Sequence, residues 1–393
     1  MYEVRAHTTL ESLHEIAGAW DTFACAPGGP SVFGTFEWAV TWWKCSGEGR
    51  RLLVLSVWHG MALVAVAPLM TGRLWFGPFP VSVVEFISSW KFAGSAASVL
   101  GSMDLAADPA HRDGALDAVL RYIEGERWDL LRLHPLPEQS KSLPRISEWG
   151  SREGRIHRQT RVFENAVLLR GDDGFRTHLS SKFRARLRQA GAKLRRRGLV
   201  DFTEVTAPGD VPAAMTKIIA IESRSWKWRK GIAINSAVYN GFFEAFALAA
   251  AYRGWLRLGF LRLDGNEIAY SLMALTGEKS TFLKTGYDAA HDDCSPGSLM
   301  MEWAFDSLAR EGAQRIDMFS GDWEYKERWQ AASEPHCEVQ VFHGGLYPRV
   351  LFFLFWRLGL YGKGRTPVLL FKRILRKCGI PWRRSELTRS DQL

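Results

Sequence analysis

Two stretches of this chain carry the same order of apolar and polar positions. In the first, aromatic and aliphatic residues recur at helical spacing over 36–43, and the run RRLLVLSVWHGMALVAVAPLM then reads as two strands around a polar turn at His59 and Gly60. In the second, a helical stretch over 239–252 leads into WLRLGFLRLDGNEIAYSLMAL, where Asp264 and Gly265 suit a tight hairpin turn. Each hairpin is followed by another apolar strand, a loop, a helix and a closing strand. The closing units are GALDAVLRYIEGERWDLLRL and SLMMEWAFDSLAREGAQRIDMF. A repeated order of this kind predicts two similar α/β domains, placed at residues 1–165 and 166–345, with an aromatic and basic tail over 346–393.

Two segments stand out by charge. KFRARLRQAGAKLRRR, residues 182–197, holds eight basic residues and no acid, while Phe183, Leu187, Ala190 and Leu194 keep helical spacing. This predicts an amphipathic helix with a cationic outer face. Like charges three and four residues apart repel, and an anionic partner, either a ligand phosphate or a lipid headgroup, would relieve the repulsion. The alternative is a solvated helix packed by its thin apolar stripe. The tail from 346 has eleven Lys and Arg against Glu386 and Asp391, which accounts for the whole net charge of +9. The first 345 residues are therefore balanced, and the charge does not describe a nucleic-acid-binding protein as a whole. Within the tail, the apolar run over 350–356 is too short to span a bilayer. Its aromatic residues and basic flanks suit contact with an anionic membrane surface, or a helix that closes the second domain.

Composition narrows the classes further. With 393 residues, 47% hydrophobic and 24% charged, the chain has length and apolar content for real cores, which excludes general disorder. Its 17 Trp and 23 Phe predict large aromatic interiors or clefts. Cys25, Cys45, Cys294, Cys337 and Cys378 are widely spaced, with no CxxC pair, so neither a disulfide framework nor a metal site is expected. The first residues, MYEVRAHTTLESL, do not read as a secretory signal, and the expected setting is cytoplasmic.

The stretch over 282–329 carries most of the chemical information. It reads as strand, polar loop, a small-residue turn at Ser295, Pro296, Gly297 and Ser298, helix, strand, and then Ser320, Gly321, Asp322, Trp323, Glu324, Tyr325 and Lys326. A small-residue turn opening a helix leaves main-chain N–H groups unpaired at the positive end of the helix dipole, which suits a diphosphate; proline and serine are also ordinary residues for a helix start.

These residues resemble the closing signature of the GNAT acetyltransferase superfamily, in the branch of the CelD-like proteins, which is related to the FemABX aminoacyl ligases. The match runs through Tyr287, Asp288, Ser295, Pro296, Gly297, Asp317, Phe319, Gly321, Asp322, Tyr325, Lys326 and Trp329. Upstream, Glu222, Ser225, Trp226 and Lys227 in AIESRSWKW resemble the family's glutamate and tryptophan-lysine segment. The resemblance covers about 173–329 well and the first half by general layout. It implies tandem GNAT-like domains, each a mixed central sheet flanked by helices, with the first degenerate and shaping the acceptor cleft.

The resemblance also implies a reaction. Acyl-CoA, acetyl-CoA being the simplest, would lay its diphosphate on Ser295, Pro296, Gly297 and Ser298, and an acceptor amine would attack the thioester. The acceptor is expected to be a sugar, a glycan precursor or a related envelope metabolite. The attacking amine must be neutral, so a base is needed, with Asp322 and Glu222 as candidates. Asp322 is otherwise a turn-forming residue, and Glu222 a helix-surface carboxylate or the ion-pair partner of Arg224 or Lys227. Lys326 would orient an acidic group of the substrate or pair with Asp322, Tyr287 would protonate the departing thiolate, and Trp226, Lys227 and Tyr325 would contact the acceptor. Two other functions fit the same residues. One is a FemABX-like ligase using aminoacyl-tRNA, gripped by the basic helix; the other is a non-catalytic scaffold of a membrane polysaccharide-synthesis machine.

Overall fold

The computed structural model describes residues 1–354 apart from 27, 28, 30, 77, 90–100, 238 and 319–322, with backbone alone at 24, 323 and 324. Local signals in the sequence become elements at the expected places. Thr35 caps α3 (Phe36–Ser46) by accepting from the Trp38 N–H at 3.3 Å, and Trp38 and Trp42 turn into the core. The strands β2 (Arg51–His59) and β3 (Ala62–Phe76) are buried on both faces over most of their length. The Asp264–Gly265 pair takes φ of 50° and 78°, the left-handed conformation a two-residue hairpin needs, between β9 (Leu256–Leu263) and β10 (Asn266–Thr276). Ser180 caps α6 (Ser181–Arg195), which buries Phe183, Leu187, Gly191 and Leu194 and leaves its arginines outside.

The first half also contains β1 (Tyr2–His7), α1 (Leu10–His14), α2 (Ala17–Ala24), β4 (Phe79–Phe86), the short β5 (Ala106–Ala107), α4 (Arg112–Glu124), β6 (Leu130–Pro137), α5 (Leu143–Gly150) and β7 (Ile156–Leu169). The second half adds β8 (Val200–Val205), α7 (Val211–Ser223), α8 (Trp226–Arg229), α9 (Phe242–Tyr252), β11 (Lys279–Tyr287), α10 (Pro296–Arg310), β12 (Arg315–Asp317), α11 (Trp323–Arg328), β13 (Ala332–Phe342) and α12 (Leu346–Phe352).

All the strands join one mixed sheet in the order β1-β2-β3-β4-β6-β13-β7-β12-β11-β10-β9-β8, with β5 beside β3. The order is two-fold symmetric about the β13/β7 pair. The two parallel pairs, β4/β6 and β11/β12, occupy equivalent places. The last strand of each half has crossed over. β7 pairs only with β13 and β12, both from the second half, while β13 pairs with β6 and β7, both from the first. A division of the sequence at residue 165 thus falls inside β7.

Helices cover the sheet as two layers. One core runs unbroken from α3 and α4 of the first half to α7 and α9 of the second, where Trp38 meets Phe242 and Phe246 edge to face at 4.8 and 4.9 Å. The other lies under α6 and α10 and centres on Phe183, Phe305 and Trp329. A small third core seats Leu351 of α12 with Phe352 packed against it, while Leu346 and Val350 face outward beside Phe353. The tail from 355 onward lies outside the described residues. Among those described, no helix is long and apolar enough to cross a membrane.

An ion cluster with a buried acidic side and an exposed arginine crosses between the halves. Arg253, at the end of α9, pairs with Asp21 of α2 and, at 3.2 Å, with Glu37 of α3. Burial, reinforced by the Asp21 carboxylate, lifts Glu37 from its ordinary 4.5 to about 7. The folded chain therefore holds this proton more tightly than the unfolded chain. The resulting stabilisation is full below about pH 4.5 and is lost as pH rises through about 7. Glu37→Gln is expected to stabilise the protein at pH 8 and to leave it nearly unchanged at pH 5, as read by denaturant midpoints at the two values.

Candidate active site

Among the described residues, β11 and β12 stay paired for only part of the length of β11. β12 accompanies β11 only from Lys279–Arg315 to Thr281–Asp317, whereas β11 continues along β10 to Tyr287. Just past the parting, β11 bulges. Met273 faces Phe282 and Leu272 faces Lys284, so Leu283 is an extra residue that re-aims the lysine after it.

Lys284 joins a buried polar cluster on the α7 and α9 side of the sheet. Its Nζ stands 2.8 Å from Tyr239 Oη and 3.4 Å from the Ile232 carbonyl, above the rings of Tyr239 and Phe243. Close by, Glu222 in the last turn of α7 is 0% exposed. Its Oε1 accepts from Tyr270 Oη at 2.5 Å and from Lys227 Nζ at 3.4 Å, and its Oε2 accepts from the Ile234 N–H at 2.5 Å. Lys227 Nζ also donates to the Thr285 carbonyl of β11.

The local sequence explains how these groups meet. Ser225 accepts from the Lys227 N–H and donates to the Glu222 carbonyl, so α7 stops and α8 starts with Lys227 folded back onto Glu222. Gly286 leaves room for the Tyr270 ring; a Cβ there would lie 2.7 Å from it.

Burial governs the ionisation of the cluster. It lowers Lys227, with Glu222 pulling the other way, and raises Tyr239 and Tyr270, with Glu222 adding to the rise. Burial and the neighbouring Lys227 charge bring Lys284 down to about 7 against the opposing pull of Glu222.

The residues named from sequence fall in different surroundings. Glu222 is the ion-pair partner of Lys227, and protein groups occupy both of its oxygens, so it is placed to hold Lys227 and Tyr270 rather than to serve as a base for a substrate. Trp226 and Trp228 are 41% and 50% exposed beside it. Tyr287 donates to Asp292 Oδ1 at 2.9 Å and is pushed up to about 12 by burial and that carboxylate, so its proton is committed to Asp292. Lys326 is buried, with Nζ 5.7 Å from the Tyr325 ring centre. Asp322 lies outside the described residues.

The turn before α10 offers fewer donors than its sequence suggests. Pro296 has no N–H, the Ser295 N–H donates to the Asp292 carbonyl, and the Ser298 N–H donates to the Ser295 carbonyl at 3.0 Å. This narrows the expected cradle to the Gly297 N–H. In the loop before it, Lys193 and Arg197 of the basic segment converge on Asp293 at 2.6 and 2.5 Å and hold that carboxyl at about 2. The basic segment thus ends against the loop that leads into α10.

Lys284, Tyr239 and Tyr270 were not distinguished by sequence reasoning. Each sits in an apolar periodic stretch, and the one available signal was a lysine inside an otherwise apolar strand, FLKTGY.

A mixed sheet with two equivalent β-α-β halves, in which one helix joins the parallel strands β4 and β6 and another joins β11 and β12, has the layout of a tandem GNAT-like fold. Residues 181–327, within the second half, match the family described as "Acetyltransferase (GNAT) domain". The fold is similar to that of FemX, with a TM-score of 0.62 and 13% identity, covering 90% of this chain and 99% of that one. It is also similar to L-PGS from Bacillus licheniformis, with a TM-score of 0.52 and 14% identity over 97% of this chain and 100% of that one. The C-terminal domain of a putative lysylphosphatidylglycerol synthetase from Agrobacterium fabrum gives 0.51 and 13% over 87% and 95%. No curated protein matches the chain.

Proposed function

We propose that the protein transfers an acyl group from acyl-CoA to an amine, with the reaction centred where β12 leaves β11. The observation that carries this reading is the parting itself, in a half whose residues 181–327 match the GNAT domain family, with a partly buried amine, a buried carboxylate and two phenols along one wall. The thioester arm would enter between the parted strands, and the diphosphate would meet the Gly297 N–H with Lys193 and Arg197 beside it. Those two cations now share one carboxylate, so a phosphate would find positive charge to spare. The exposed faces of Trp226 and Trp228 suit stacking against a sugar ring, which supports an amino sugar or glycan precursor as acceptor.

Calorimetry with acetyl-CoA tests the reading. A clean micromolar isotherm is expected, weakened about tenfold by Arg197→Glu through loss of one charge-assisted contact. The absence of heat with acetyl-CoA, together with a tRNA gel shift at moderate salt, would favour the aminoacyl-tRNA ligase instead.

A further inference from the structure

We propose that Lys284 is the group that takes the proton from the acceptor amine, and that the Glu222–Lys227 pair keeps it uncharged to do so. The role rests on the acyl-transfer reading and adds to it the base that Glu222, with both oxygens occupied, is not placed to supply.

Three observations carry it. The first is position: Lys284 lies three residues past Thr281, where β12 leaves, and the bulge at Leu283 sets its direction. Unlike Glu222, which is sealed, Lys284 is only partly buried. The second is charge. The groups facing it are Glu222 and Lys227 from α7 and α8, Tyr270 from β10, and Tyr239 with Phe243 and the Ile232 carbonyl from the segment leading into and along α9. One carboxylate faces two amines here, and Lys227 is the one within ion-pair distance of it, which leaves the Lys227 charge acting against a second charge on Lys284. The third is hydrogen bonding. A neutral amine has two N–H bonds, and among the described residues Lys284 has two acceptors, Tyr239 Oη and the Ile232 carbonyl. A neutral amine spends both N–H bonds on these two acceptors and keeps its lone pair for an incoming proton.

The depressed pKa of about 7 agrees with this arrangement. In the reaction, the acceptor's ammonium gives one proton to Lys284 Nζ. The freed nitrogen forms the bond to the thioester carbon, and the C–S bond breaks with its electron pair on sulfur. The second proton shed by nitrogen neutralises the thiolate, and Lys284 returns its proton to solvent.

The test needs no acceptor. The intact protein is trace-labelled with acetic anhydride from about pH 5 to about 10, with and without acetyl-CoA, and acetylation of Lys284 is followed by peptide mass spectrometry. Half-maximal reactivity near pH 7, against about 10.4 for ordinary lysines, with protection by acetyl-CoA, is the expected result. Titration with the ordinary lysines, or no labelling at any pH, would overturn the proposal. Binding of acetyl-CoA by calorimetry without protection of Lys284 would overturn the role and leave the transferase reading standing. No binding of acetyl-CoA would remove both.

Discussion

Cutting the chain between β7 and α6 is expected to give two fragments that do not fold alone but assemble when expressed together. The expectation follows from the crossed strands. In the first fragment β7 would have no strand beside it, since β13 and β12 both belong to the second, and β6 would show its open edge where β13 now lies. In the second fragment β13 would lose both neighbours. Unpaired main-chain groups along β7 and β13, and a core divided between Trp38 and Phe246, leave each piece with exposed apolar surface and an edge open to aggregation. Circular dichroism and native mass spectrometry of the separate and mixed fragments decide the matter. A cooperative, monomeric melt from either fragment alone would show that the exchange does not bind the halves together.

Glu222→Ala carries the second large effect, a loss of about 3–5 kcal/mol in unfolding free energy, because it strands the buried Lys227 charge and leaves the Tyr270 hydroxyl and the Ile234 N–H without their acceptor. Adding Lys227→Met should restore a large part of it, since the cost lies in the uncompensated charge and not in a missing contact. Urea midpoints of the single and double variants test this. A single variant within about 1 kcal/mol of the parent would mean that water reaches the pair and that the cluster is not the closed unit described above.

Much of the architecture was legible from local signals. The turn expected near His59 and Gly60, found at Gly60–Met61, the Asp264–Gly265 turn, the stripe of the basic helix and the repeated helix-hairpin-strand order each depend on neighbours in sequence, and each appears close to where its pattern places it. The pairing of β7 with β13 joins residues more than 150 apart, such as Phe342 opposite Ile156, and no alternation of apolar residues encodes which edge a strand will join. The same division holds in the site. Glu222 and Lys227 drew notice because they share one short segment, and an ion pair between them was one of the open alternatives. Lys284, Tyr239 and Tyr270 come together through a bulge, a serine cap and a glycine that makes space, and none of these marks a functional residue by type. At the turn before α10, small residues promised several free donors, but a 3₁₀ turn over 289–294 and the left-handed Ser295 let carbonyls nearby take up all but one.

The traded strands also constrain how such a chain can change. A half that has given up its chemistry would ordinarily be free to shrink or disappear, but here deleting it would take away both flanks of β13 and the support for β12 that β7 provides. The first half therefore serves as structural support for the second, and its interior stays tied to its twin while its surface is free to diverge.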